Sequence, residues 1–235
     1  MDVLFLPGLA CDAALWRAQV ADFKANGHRV RVADEHLPHS SLPAMAQAVL
    51  AGIRRERFVV IGHSMGGMLA FELWRQASAR IQALALLGTS ARPDDETVAQ
   101  LRREAIVLFQ QGRAAEVLRA NVPLAFAPQF ADDAAMAGRY LRMFERTGTQ
   151  TLISHNRAVI ARPDSRPLLA QISCPTLVMC GEHDVACTPE VARELADGIP
   201  GAELQVLPGV GHMLPWEAPH LVSRHLLHWM KTLPP

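Results

Sequence analysis

Short apolar runs bounded by Gly, Pro or charged residues recur at Val3–Leu6, Arg29–Ala33, Phe58–Ile61, Ala83–Leu87, Thr176–Cys180 and Glu203–Leu207. Phe58-Val59-Val60-Ile61 and Ala83-Leu84-Ala85-Leu86-Leu87 show no polar alternation, as expected of strands covered on both faces. Longer stretches with helical spacing separate the runs. This alternation predicts an α/β domain built of βαβ units: about six strands, mostly parallel, with helices on both faces.

The rhythm breaks between the fourth and fifth runs. Residues 92–173 carry helical patterns at Glu96–Gln111, Ala114–Asn121, Asp132–Thr147 and Thr149–Ala161, and no convincing strand. Connections in compact domains are usually a few residues long, so this insertion must have structure of its own. It reads as a helical cap, with residues 1–91 and 174–235 forming the core. Arg162-Pro163-Asp164-Ser165-Arg166-Pro167 punctuates the return to the sheet. Phe109, Phe126, Phe130, Tyr140, Met143 and Phe144 read chiefly as the cap's own core, with some facing a pocket if the insertion is a lid. His155, Asn156 and Arg157 could read a polar or carboxylate group there, although a solvent face is the plainer expectation.

Composition narrows the partners. In 235 residues, 23 Lys and Arg balance 23 Asp and Glu, which argues against nucleic acid or an anionic membrane surface. Half of the residues are hydrophobic and 20% are charged, enough for a large core and far from disorder. No apolar stretch reaches the roughly 18–20 residues of a membrane span, and no basic leader precedes the first run, so a cytoplasmic monomer or homodimer is expected. Cys11, Cys174, Cys180 and Cys187 form no paired motif and read as free thiols rather than metal ligands.

Gly62-His63-Ser64-Met65-Gly66-Gly67 sits where a buried strand ends and an apolar helical run, Met68 to Trp74, begins. A strand-to-helix corner of this sharpness needs small neighbours and lifts the Ser oxygen above the sheet's carboxyl edge. The bare motif recurs by chance; the strand before it and the helix after it carry the reading. A Ser hydroxyl needs a general base, and the base needs an orienting acid. Asp184 follows the fifth run in Gly181-Glu182-His183-Asp184, and His212 follows the sixth in Gly209-Val210-Gly211-His212. In an open parallel sheet, loops at the carboxyl ends of strands share one edge, so Ser64, Asp184 and His212 can converge. The turn Leu6-Pro7-Gly8-Leu9 after the first run offers backbone N–H groups for an oxyanion; the expected donors are those of Leu9 and Met65.

With these stretches, together with Cys174-Pro175-Thr176-Leu177-Val178, Pro189-Glu190 and Glu217-Ala218-Pro219, the whole chain resembles the capped, esterase- and lactonase-like members of the α/β-hydrolase fold. The resemblance implies Ser64 as nucleophile, His212 as base, Asp184 as acid, a helical lid and no cofactor or metal. It implies hydrolysis of a small, largely apolar ester or lactone through an acyl-enzyme. Two departures stand out. Pro7-Gly8 replaces a common His-Gly, and the first strand begins so early that the fold's two leading strands have no room, leaving strand order 2-1-3-4-5-6.

Other readings stay open on sequence. Carbon–carbon bond hydrolases use the same triad but commonly place Trp after the His, where Met213 stands; a ligand receptor of this fold with weak turnover is a further alternative. Ser at the elbow argues against the epoxide hydrolases and dehalogenases, which carry Asp. His63 could be a second base or a packing residue. Asp94-Asp95-Glu96 could compete for the acid role or simply start a helix, and Asp34-Glu35 is farther away. His36 and His39 read as loop, His183 as a turn residue, and His220, His225 and His228 as a packed or solvated helix face despite the metal-compatible spacing of the last two.

Overall fold

The computed structural model describes residues 1–130 and 132–234. Ala131, within residues 92–173, and Pro235 lie outside the described residues. Six strands, β1 (Asp2–Leu6), β2 (Arg29–Val32), β3 (Phe58–His63), β4 (Ile81–Leu87), β5 (Thr176–Gly181) and β6 (Glu203–Leu207), form one parallel sheet in the order β2-β1-β3-β4-β5-β6. This is the expected order. The strand ends shift from the expected ranges by a residue or two; β3 runs on to His63, for example, because His63 still pairs with Leu87.

The pleat divides the core. Val3, Phe5, Val59, Ile61 and Leu177 point to one face, and Leu4, Leu6, Val60, Leu84 and Val178 to the other, so two apolar clusters sandwich the sheet. The edge strand β2 reads Arg-Val-Arg-Val with none of its residues buried, a charged edge that discourages strand addition. Helices α1 (Arg17–Ala25), α2 (Leu42–Ala51) and α3 (Met65–Ala77) connect the first four strands. Every residue of α3 from Met65 to Trp74 is buried, so the helix after the elbow is a core element.

Residues 92–173 hold α4 (Glu96–Gln110), α5 (Ala114–Ala125), α6 (Ala134–Thr147), α7 (Thr149–Ile160) and the short α8 (Arg166–Leu169), with no strand among the described residues. Asp95 caps α4 by accepting from Val98 N–H at 2.8 Å, and Asp133 caps α6. α5 continues past the expected end at Asn121, with Pro123 inside it, because Val122 and Ala125 lie buried against the core. The two ends of the insertion are stitched together. Arg162 donates to Asp94 at 2.7 Å and to the Arg92 carbonyl at 3.0 Å, and Ser165 N–H donates to the Ala91 carbonyl at 2.8 Å. Beyond β5 come α9 (Pro189–Gly198), α10 (Leu214–Glu217) and α11 (Pro219–Met230).

Candidate active site

Register brings the carboxyl ends of β1, β3, β4, β5 and β6 to one edge: Leu6 lies opposite Gly62, His63 opposite Leu87, Leu87 opposite Met179, and Gly181 opposite Leu207. Ser64 sits there with φ 54° and ψ −118°, a left-handed conformation that costs a non-Gly residue about 1–3 kcal/mol and turns its hydroxyl outward. The corner is held from several sides. Ser64 N–H donates to the Leu87 carbonyl at 2.8 Å, and the Ser64 carbonyl accepts from Gly67 N–H at 2.9 Å and from Thr89 Oγ1 at 2.7 Å. At Gly66 a Cβ would run into the Leu6 carbonyl, so only glycine lets α3 start this close to β1.

Ser64 Oγ lies 3.0 Å from His212 Nε2, and His212 Nδ1 lies 2.8 Å from Asp184 Oδ2. Asp184 is buried, and its Oδ1 accepts from Ala186 N–H at 2.9 Å and Cys187 N–H at 2.8 Å. Burial works to raise its pKa, but the adjacent His212 and the two backbone donors outweigh burial and hold the carboxyl below its ordinary value. For His212 burial works downward, and the charge and hydrogen bond of Asp184 prevail and raise its pKa. The three side chains named from sequence thus form one hydrogen-bonded chain. Such a chain can hand the Ser64 proton to imidazole while the carboxylate steadies the charged ring.

The turn after β1 abuts this chain: a Cβ on Gly8 would lie 3.4 Å from Ser64 Cβ. Leu9 and Met65 both line the cavity in front of Ser64, and their N–H groups have no partner among the described residues. Met65 opens α3, where a helix leaves its first N–H groups free for an incoming anion.

That cavity encloses about 730 Å³ between the sheet edge and the inserted helices. Its walls are mainly apolar, with Met68, Phe109, Leu118, Tyr140, Phe144 and Leu152 among them. Of the residues expected in the cap core, Phe109, Tyr140 and Phe144 therefore reach the cavity, whereas Phe126 and Met143 are buried in the core and Phe130 packs against it, partly buried. Arg102 and Asn156 add polarity at the wall; Arg102 is fixed by Asp94 at 2.6 Å and Asn156 at 3.1 Å.

Several expectations are corrected or resolved by position. The solvent face assigned to His155 and Asn156 does not exist: both are buried, because α7 is packed between α4 and α6. Only Arg157 is exposed. His63 is buried and donates from Nε2 to the His212 carbonyl at 2.8 Å, bracing the loop that carries His212; burial pushes its pKa down to about 3, so it stays neutral. Asp94 faces Arg102 and Arg162 rather than His212, and Glu35 pairs with Arg31. His183 and His220 are exposed, and no group of three or more His, Cys, Asp or Glu among the described residues is placed to hold a metal ion.

Three supports escaped the sequence reading. Thr89 holds the elbow carbonyl. Glu217 Oε2 accepts from Gly211 N–H at 2.8 Å and Ala127 N–H at 2.9 Å, tying the His212 loop to the insertion. The third is a set of contacts on Ala10 from His155 and Thr147. Glu217 lies in the Glu217-Ala218-Pro219 match, and that was the one available signal for it.

Sheet order, elbow and edge together define a class of α/β protein that carries its reactive side chains on loops after parallel strands. A family model described as the alpha/beta hydrolase fold matches residues 3–219; the chain belongs to that family and is a hydrolase of the α/β fold. Among curated relatives, the candidate carbamate hydrolase RutD of Azorhizobium caulinodans is 26% identical, over 96% of this chain and 89% of its own length. The pimeloyl-[acyl-carrier protein] methyl ester esterase of Nitrosomonas europaea is also 26% identical, over 90% of this chain and 88% of its own. The solved thermophilic esterase of Thermogutta terrifontis superposes with a TM-score of 0.88 at 26% identity, covering 98% of this chain and 89% of that one. No helix among the described residues is long and apolar enough to cross a membrane.

Proposed function

We propose that this hydrolase is a serine esterase that cleaves a small, largely apolar carboxylic ester or lactone through an acyl-enzyme, with residues 92–173 acting as the lid over the acyl pocket. The observation that carries this reading is the Ser64–His212–Asp184 hydrogen-bonded chain opening into an apolar cavity of about 730 Å³. Ester-cleaving relatives support it, as does the aromatic and aliphatic wall facing Ser64.

In the proposed cycle Ser64 Oγ attacks the carbonyl carbon while its proton passes to His212 Nε2. Asp184 keeps the other ring proton on Nδ1 and offsets the imidazolium charge. The carbonyl oxygen becomes an oxyanion, accepted by the unpartnered N–H groups of Leu9 and Met65 at the cavity wall. Collapse of the tetrahedral species breaks the bond to the alcohol oxygen, which takes the proton from His212. Water then attacks the acyl-Ser64 carbonyl, giving its proton to His212, and the second collapse returns that proton to Ser64 Oγ and releases the acid. With a lactone the alcohol remains tethered to the acid product.

The test is labelling with a fluorophosphonate followed by peptide mapping, alongside hydrolysis of a panel of short and medium acyl esters, lactones and a dienone. Label on Ser64, and loss of both label and ester turnover in Ser64→Ala, are expected. Full esterase activity in Ser64→Ala would refute the mechanism. Preference for the dienone would move the chain to the carbon–carbon hydrolases, and ligand-induced thermal shift without product would make it a receptor.

A further inference from the structure

Gly8-Leu9-Ala10-Cys11 is a closed turn: Cys11 N–H donates to the Gly8 carbonyl at 3.0 Å. Its third residue, Ala10, has φ 49°, the left-handed region. Turns of this kind normally place Gly or Asn there, because a Cβ is strained in that conformation. Without a hold Ala10 would relax to an unstrained negative φ, and the turn that carries Leu9 would rearrange with it. Something must therefore hold the strained form, and it comes from the insertion.

Ala10 N–H donates to His155 Nδ1 at 2.9 Å, and the Ala10 carbonyl accepts from Thr147 Oγ1 at 2.8 Å. Both backbone polar groups of the strained residue are thus met by side chains 145 and 137 positions away. Arg146 adds a third tie, to Asp12 at 2.6 Å. His155 is itself immobilised. It is fully buried and its ring stacks on His36 with centroids 5.5 Å apart, while Nε2 has no hydrogen-bond partner among the described residues, which leaves the Nδ1 bond to Ala10 as the ring's polar anchor. Accepting at Nδ1 requires a neutral ring with the proton on Nε2, and burial brings this by pushing the pKa down to about 4.

We infer that His155 is a positioning residue for the reaction: through Ala10 it holds the first turn so that the Leu9 N–H is aimed at the oxyanion, with Thr147 as its partner on the carbonyl side. The inference rests on the proposed serine mechanism and adds a role for the insertion besides covering the pocket. His155 never touches substrate; it does not line the cavity. Its effect belongs to the transition state, because the Leu9 N–H matters most once charge has developed on the carbonyl oxygen. Loss of such an interaction lowers kcat and leaves KM nearly unchanged.

The experiment compares wild type, His155→Leu, His155→Gln, Thr147→Val and the double variant Ala10→Gly/His155→Leu. For each, kcat and KM on a neutral p-nitrophenyl ester, the rate of Ser64 labelling by a fluorophosphonate and the melting temperature are measured, with activity read well below the melt. His155→Leu should lose on the order of 10–100-fold in kcat and in labelling rate, between the effect of a displaced and a deleted oxyanion donor, with KM within about twofold. Thr147→Val should fall in the same direction and less. Gln supplies both an acceptor and a donor and should recover most of the loss. Ala10→Gly should recover part of it, because glycine holds a positive φ without a clamp. If His155→Leu does not fold, the Gln and Thr147 variants carry the test. A folded His155→Leu with wild-type kcat and labelling, or a deficit restored by neither Gln nor Gly, overturns the inference. If wild-type Ser64 itself takes no label, the serine mechanism fails instead, which is a distinguishable result.

Discussion

Replacing Asp184 with Asn tests the site most sharply, because the local geometry dictates how the new amide must sit. Asp184 Oδ1 accepts two backbone N–H groups, from Ala186 and Cys187, while Oδ2 faces His212 Nδ1 at 2.8 Å. The backbone donors require an oxygen at the first position. In Asp184→Asn the side-chain NH2 is therefore left at the second, pointing a donor at Nδ1. His212 must then accept there and carry its proton on Nε2, where it faces Ser64 Oγ and cannot take the Ser64 proton. The fold loses little, since both backbone bonds survive, but the base is locked in the wrong tautomer. A trapped tautomer in a serine triad lowers turnover by about 10⁴-fold, equivalent to ~5 kcal/mol of transition-state stabilisation. The assay is p-nitrophenyl ester hydrolysis beside a thermal melt. Asp184→Ala is the control: it strands the buried Cys187 N–H and should add a stability loss of about 1–3 kcal/mol that Asp184→Asn does not show. Turnover within tenfold of wild type in a folded Asp184→Asn protein would refute this reasoning and reopen the question of which acid orients His212.

Two further expectations follow from the same geometry. In the proposed mechanism His212 serves as base only when neutral, and its pKa is raised because Asp184 outweighs burial; kcat/KM should therefore rise with pH along a one-proton limb centred above 6.5, its ordinary value. Asp184→Asn removes the charge that does most to oppose burial, leaving that of Glu217, and should move the residual limb to lower pH, so a profile that moves upward or not at all would contradict the assigned coupling. At the foot of the insertion, Asp94 is shared by Arg102 and Arg162, and Arg162 is almost wholly buried. Asp94→Asn leaves that guanidinium without its counter-charge, which should cost about 3 kcal/mol and lower the melting temperature by roughly 6–12 °C; an unchanged melt would mean that the pair does not anchor the insertion.

How far the sequence reaches depends on which forces act locally. The strands were legible because a parallel sheet covered on both faces demands continuous apolar runs, and Phe58–Ile61 and Ala83–Leu87 can be read in almost no other way. Helix limits were less so. The expected end of α5 at Asn121 falls short because burial of Val122 and Ala125 carries the helix on to Ala125 through Pro123, tertiary packing overriding a local breaker. The convergence of Ser64, Asp184 and His212 was legible because each follows a strand end: a chain that places them after β3, β5 and β6 has only one edge on which to present them.

What supports those side chains was not legible, for a single physical reason. The bonds that hold the strained Ala10 turn join positions about 140 residues apart, and they exist only once α6 and α7 are docked on the sheet edge. Before docking, a His-Asn-Arg triplet on a helix carries no sign that two of its members will be buried; their burial depends on α7 being covered by both α4 and α6. The same holds for Glu217, whose carboxylate meets Ala127 of the insertion and Gly211 of the His212 loop together. The Ala10 and Glu217 contacts therefore couple the inserted segment to loops at the sheet edge, whereas Thr89 braces the elbow from within the core. Trimming the insertion would uncover the cavity and would also remove the bonds that hold the first turn and the His212 loop, so on the proposed mechanism the cover over the pocket and the geometry of the chemistry are varied together.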